Sequence, residues 1–231
     1  MIMLLDIKNK LHYLSSIFNM LIAKTLSILL NMNDNNDSKY KDSILLVRLD
    51  EIGDIVLTSP FLRELRRNYP KSRIVLVVKP AVYNLVELCP YVDEVKVFSR
   101  ATCRCCFFVN IFKAYKFVKN ELANESFSMA IVPRWDADCS YNAGLVAFFS
   151  RARRRLAYSE HVSPSKEKSD CGFDAFYTEF VPSRPGVIHE VERNLDIIRY
   201  LGFDVKDDNL EVWTSEEDKV IASKLLPPPR G

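Results

Sequence analysis

The 32 lysines and arginines of this 231-residue chain nearly balance its 30 aspartates and glutamates, leaving a net charge of +2. That balance gives no case for nucleic acid as a partner, so any anion binding has to come from local patches. With 48% hydrophobic and 27% charged residues, the composition is that of an ordinary soluble globular protein, long enough for one large domain or two small ones.

The first 30 residues differ from the rest. Leu11, Leu14, Phe18, Leu21, Ile22 and Leu29 fall near helical spacing, but His12, Asn19 and Lys24 make a poor spanning helix and no clear cleavage site follows. Two readings stand: an amphipathic segment lying on a membrane surface or on the protein itself, and a frayed extension or upstream start-codon error. Residues 31–42, "NMNDNNDSKYKD", read as a polar linker.

From Ser43 onward, short β-rich runs alternate with helical patterns. Strands are predicted at 44–49, 73–78, 94–98, 128–132 and 155–158. Helices are predicted at 60–69, 81–88, 107–123, 141–150 and 190–201, the last followed by Gly202 as a C-cap. This alternation predicts an α/β, Rossmann-like parallel sheet with helices on both faces, and ligands at the carboxyl ends of its strands. Residues 159–187 show no clean period and read as a long loop, either functional or mobile. The Phe and Tyr side chains of 107–118 and 141–149 are expected in the core. Of the six cysteines, Cys103 and Cys106 make a CxxC that no second pair completes, so reduced thiols without a structural zinc are expected. "HEVER", from His189, departs from HExxH at Arg193 and carries no zinc-protease reading.

The turn after the first predicted strand, "RLDEIGD" (48–54), gathers three acids and a glycine. Glycine permits a tight turn and close approach of a ligand, and an acid in the first turn of a helix is favoured by the free N–H groups there. Asp54 therefore suits a plain helix cap and equally an ionised general base. Local pattern leaves both open.

The longer stretch "ILLVRLDEIGDIVLTSPFLRELRRNYPKSRIVLVV" (44–78) closely resembles the opening of family 9 glycosyltransferases, which include the ADP-heptose:lipopolysaccharide heptosyltransferases. A basic residue on the first strand, a variable triplet ending in an aliphatic, Gly-Asp and an apolar run to proline are met here by Arg48, Asp50 to Ile52, Gly53-Asp54 and Pro60. The resemblance continues through "PYVDEVKVF" (90–98), "IVPRWDADCSYNAGLVAFFSRARRRLAYS" (131–159) and "HEVERNLDIIRYLG" (189–202). It implies the N-terminal domain of a GT-B glycosyltransferase, which receives the acceptor while a C-terminal domain holds the nucleotide-sugar. It also implies inverting transfer that needs neither cofactor nor metal.

By the resemblance, Asp54 is the base that accepts the proton of the acceptor hydroxyl, Gly53 lets the acceptor approach, and Arg48 meets acceptor anions. Asp50 and Glu51 fall in the variable triplet and read as exposed turn residues. Arg63, Arg66 and Arg67 on the following helix are candidates for anionic acceptor groups, against a solvated face as the alternative. Arg134 and Asp136, past a predicted strand end, are acceptor contacts or a salt-bridged loop.

The resemblance covers 43–213 as the acceptor-side domain. Residues 214–231 then open an interdomain linker, and the donor domain's residues are not matched, so the chain alone is expected to transfer poorly or not at all. The implied partners are a glycolipid or lipopolysaccharide-core acceptor and a donor such as ADP-heptose. The implied location is the cytoplasm, with a peripheral place at the inner face of the membrane. Two alternatives remain: a non-catalytic acceptor-binding or remnant module, and an unrelated nucleotide-binding protein. The second is weakened by the absence of GxGxxG and GxxxxGK[ST].

Overall fold

Unbroken apolar runs such as Ile44–Val47 and Ile74–Val78 suit strands buried on both faces rather than one. A computed structural model, which describes residues 18, 21, 22, 25, 41–99, 107–137 and 141–225, places them in that way. Strands β1 (Lys41–Arg48), β2 (Arg73–Val78), β3 (Glu94–Val97), β4 (Phe127–Val132), β5 (Arg154–Ala157) and β6 (Glu179–Phe180) form one sheet in the order β3-β2-β1-β4-β5-β6. Every pairing is parallel.

The helices are α1 (Ile52–Val56), α2 (Ser59–Asn68), α3 (Phe107–Glu121), α4 (Asn142–Phe149), α5 (Pro164–Ser169), α6 (Glu190–Tyr200) and α7 (Glu216–Leu225). Alternate strand residues serve opposite faces. Leu45, Val47, Val75 and Val77 pack with Ala114 and Val118 of α3 and Leu145 and Val146 of α4. Ile44, Leu46, Ile74 and Leu76 pack with Phe61, Leu62 and Leu65 of α2 and Ile197 and Ile198 of α6. Both faces are covered, as the Rossmann-like reading requires. The chain winds one way from β1 to β3 and the other way from β4 to β6, so the switch point lies between the carboxyl ends of β1 and β4.

Several expectations are corrected. The helix predicted at 81–88 is a 3-10 turn, Pro80–Leu85. The stretch 159–187 is not a plain loop: it holds α5, β6 and the 3-10 turns Glu160–Val162 and Phe173–Phe176. Lys166, 0% exposed, anchors it. The Lys166 ammonium donates to Asp170 Oδ2 at 2.9 Å and to the Asp136 carbonyl at 3.1 Å, and lies 4.8 Å from the Phe173 ring centre. Pieces this short carry no readable period, and their order comes from tertiary packing.

Of the aromatics expected in the core, Tyr141 and Phe148 are buried, but Phe112 and Tyr115 face outward. Gly202 follows α6 at φ +89°, the left-handed conformation that a glycine cap supplies. His189 is the N-cap of α6, its Nδ1 accepting from the Val191 amide at 3.3 Å. Most of 1–30, residues 31–40, the Cys103–Cys106 pair and the tail beyond 225 lie outside the described residues. Among the described residues, no helix is long and apolar enough to cross a membrane.

Candidate functional site

β1 ends at Arg48, and the chain turns through Leu49, Asp50 and Glu51 into α1. Glu51 and Asp54 form a reciprocal capping box: the Glu51 side chain accepts from the Asp54 amide, and Asp54 Oδ2 accepts from the Glu51 amide at 3.2 Å. Asp54 is half-buried, and its Oδ1 accepts no hydrogen bond among the described residues. One oxygen is therefore fixed by the helix start while the other is left over. Gly53 is exposed and its φ is not positive; a Cβ added there meets nothing within 4 Å. Neither backbone conformation nor packing calls for glycine at this place. What glycine leaves is open room beside Asp54.

Beneath this turn lies a cluster of opposite charges. Arg48, 1% exposed, donates from one Nη to the Pro133 carbonyl just past β4 and from the other to Glu190 Oε1 at 2.8 Å. Its Nε lies 3.0 Å from Asp50 Oδ2. Asp50, 4% exposed, also meets the guanidinium of Arg134 through its second oxygen. Arg193 reaches Glu190 Oε2 at 3.5 Å and stacks 3.8 Å over the Trp135 ring. Trp135 in turn donates to Ser183 Oγ at 2.9 Å.

Three guanidiniums thus share two carboxylates, an excess of one positive charge within the paired cluster before the carboxylate of Asp54 is counted. Buried ions of this kind survive only when each has its partners, so the cluster rigidly ties β1, β4 and α6 together. Asn194 adds a tie by donating to the Leu57 carbonyl at 3.2 Å, which holds α6 against the end of α1.

The sequence-predicted residues divide. Asp54 and Gly53 lie past the carboxyl end of β1 and Arg134 past that of β4, and Asp50 links Arg134 to the same turn. Arg48 lies there too, but it is buried against protein partners and acts as a strut. Asp50 corrects the reading of an exposed turn residue: it sits two positions after Arg48, the spacing that puts both on one side of an extended chain. Glu51 is exposed as expected and also pairs with Lys79 at the end of β2. Asp136 is exposed, and its carbonyl accepts from Arg134 Nε at 3.3 Å as well as from Lys166.

Arg63 and Arg66 are not brought to Asp54. Arg63 donates to the carbonyls of Asp207 and Asn209, at 3.1 and 2.8 Å, and to Glu211. Arg66 donates to the carbonyls of Tyr91 and Ser72, at 3.1 and 2.8 Å, and to Asp93. Ser72 and Asp93 precede β2 and β3, so Arg66 occupies the amino edge of the sheet, opposite the crevice.

Glu190, Arg193 and Trp135 were missed. The i,i+3 spacing of Glu190 and Arg193 at a helix start was the available signal. Among the described residues, no group of three or more His, Cys, Asp or Glu comes together to hold a metal ion.

Comparison with known proteins adds the fold's relatives. No protein-family model matches the chain, and no curated protein matches it. Among solved structures, it is similar to the glycosyl transferase family 9 protein from Veillonella parvula DSM 2008, with 20% identity over 84% of this chain and 53% of that one, at a TM-score of 0.62. It is also similar to E. coli heptosyltransferase WaaC with ADP, at 16% identity over 73% and 50% of the two chains and a TM-score of 0.52. E. coli ADP-heptose lps heptosyltransferase II gives 15% identity over 79% and 50%, with a TM-score of 0.50. The chain spans about half the length of each of these structures. At such identities the likeness establishes the fold.

Proposed function

We propose that this chain is the acceptor-side domain of an inverting glycosyltransferase, with Asp54 as its general base. The observation that carries the reading is a half-buried carboxylate with one oxygen pinned and the other unclaimed, beside open room at Gly53 and an excess of guanidinium charge. An acceptor hydroxyl seated in that room gives its proton to Asp54 as its oxygen attacks the anomeric carbon from the face opposite the leaving group. The bond from that carbon to the nucleotide's phosphate oxygen breaks, and a nucleoside diphosphate departs.

The likeness of fold to heptosyltransferases, together with the sequence resemblance, supports ADP-heptose as donor and a lipopolysaccharide-core or related glycolipid as acceptor, without a metal. Arg134 suits an anionic group on such an acceptor, because part of its guanidinium remains at the surface while Asp50 orients it. Asp50 is held by two arginines and acts in positioning them. The donor would be held by a C-terminal half of the kind that the longer solved structures contain, and the reaction would run in the cytoplasm.

The test is a transfer assay with ADP-heptose and a heptose-deficient lipopolysaccharide acceptor, run with the chain alone and with a supplied C-terminal half. Transfer by the associated pair supports the reading. Failure of a pair that associates, with a donor half shown to bind nucleotide, contradicts it.

A further inference from the structure

Helix α3 presents an unusual outer face. Val109, Phe112, Lys113, Lys116, Lys119 and Asn120 share one face, each with another of them three or four residues away, with Tyr115 beside them, while Ala114 and Val118 point into the core. Phe112 is 65% exposed, Tyr115 50% and Val109 43%. An ordinary surface helix turns its polar side outward; this one turns out two aromatics and a valine. Lys113, Lys116 and Lys119 make no ion pair among the described residues. The nearby acid, Glu121, is engaged by Lys96 at 3.5 Å. The face is thus apolar, aromatic and uncompensated in charge.

Two further observations extend it. Phe18 and Leu21 are exposed while Ile22, one position on, packs against the same side of the sheet that α3 covers. The helix also begins at the carboxyl edge of the sheet, the edge that holds Asp54.

From these we propose that the outer face of α3 docks the protein on an anionic lipid bilayer. Aromatic side chains settle at the headgroup level, and lysines flanking them are drawn to the negative surface. Charge complementarity selects this occupant over a neutral apolar one: three unpaired lysines would repel a second copy of the same face. The inference stands on the helix face itself and holds whichever sugar the crevice handles. It adds to the proposed function a reason for a lipid-linked acceptor to meet the site.

Vesicle co-sedimentation of the full chain tests it, comparing phosphatidylcholine alone with phosphatidylcholine carrying about one third phosphatidylglycerol. The chain is expected to pellet with the anionic vesicles and not with the neutral ones. The triple variant Lys113→Gln/Lys116→Gln/Lys119→Gln is expected to weaken this binding roughly hundred-fold, about five-fold per lysine. Phe112→Ser/Tyr115→Ser, with a far-UV spectrum that matches the parent, is expected to weaken it about ten-fold.

Absence of binding to anionic vesicles overturns the proposal, as does equal binding to neutral ones or unchanged binding by both variants. A dimer in solution that Phe112→Ser/Tyr115→Ser dissociates, with vesicle binding unaltered, assigns the face to a second copy instead. The transfer assay plays no part in these outcomes, so failure here and failure of the glycosyltransferase reading are separable.

Discussion

The arginines of α2 and those of the β1–β4 crevice carry the same expectation of anion contact from sequence, and the structure separates them. On α2, Arg63, Arg66 and Arg67 direct their donors to backbone carbonyls and carboxylates: Arg63 to Asp207, Asn209 and Glu211, Arg66 to Tyr91, Ser72 and Asp93, and Arg67 to Glu64 and Asp204. Glu64, buried in their midst, also accepts from the amides of Lys206 and Asp207 at 3.2 and 3.3 Å. This cluster fastens the segment after α6 onto α2, and its geometry leaves no charge to spare. At the β1–β4 crevice, by contrast, three guanidiniums share two carboxylates, and Arg134 and Asp54 remain partly open to solvent. The α2 cluster is matched in charge; the candidate site at the crevice leaves polar atoms open to solvent.

The largest expected effect of breaking this contrast lies under the crevice. Asp50→Ala removes the carboxylate between Arg48 and Arg134 and leaves Glu190 as the one carboxylate for three guanidiniums, Arg48 being buried among them, so we expect a loss of about 3 to 5 kcal/mol by chemical denaturation. Glu64→Ala is expected to cost about 2 kcal/mol by stranding Arg67 and two amides. It should also open residues 204–211 to limited proteolysis while sparing acceptor transfer in a reconstituted pair. The same substitution pattern at Arg63, Arg63→Met, should lower stability by about 1 kcal/mol and leave transfer unchanged, which marks α2 as a fastener.

A smaller effect follows pH. The hydrogen bond from Arg154 holds the Glu179 carboxyl below its ordinary value near 4.5. A lowered folded value means that this pair's stabilisation is present above the ordinary value and drains away as pH falls through the lowered one. Because the Arg154 side chain is 42% exposed and screened by solvent, the pair's worth is about half a kcal/mol. Melting curves from neutral to acid pH should therefore converge between the parent and Glu179→Gln at the acid end.

How much of this was legible in sequence depended on range. β1 and β2 were readable because strands buried on both faces are continuously apolar, and Gly202 because a left-handed cap demands glycine. The strand-to-helix turn that carries Gly53-Asp54 was readable because an apolar run breaks there into acids and a glycine. Asp50 was mistaken for a turn residue because its partners, Arg134 on β4's exit and Arg48 beside it, converge only when the two strands pair. Arg63 and Arg66 were mistaken for anion contacts for the same reason: the groups that satisfy them come from segments far along the chain. The order in 159–187 was hidden because its elements are too short for periodicity and rest on the buried Lys166–Asp170 pair.

Gly53→Ala sharpens the contrast from the other side. The glycine sits inside α1 with no contact for a Cβ, so alanine should leave stability unchanged or raise it by up to about 1 kcal/mol. If the room beside Asp54 receives the acceptor, the same methyl should raise the acceptor KM about ten-fold or more, for loss of close approach.

The most direct measurement is the transfer rate of Asp54→Asn in a pair reconstituted with a donor-side half, with thermal melting alongside. Asparagine keeps an oxygen for the Glu51 amide, so the capping box and the fold persist. The account predicts an unchanged melting transition with a rate lower by about 10² to 10⁴. A rate within about threefold of the parent, from protein that melts as the parent does, would contradict Asp54 as the base.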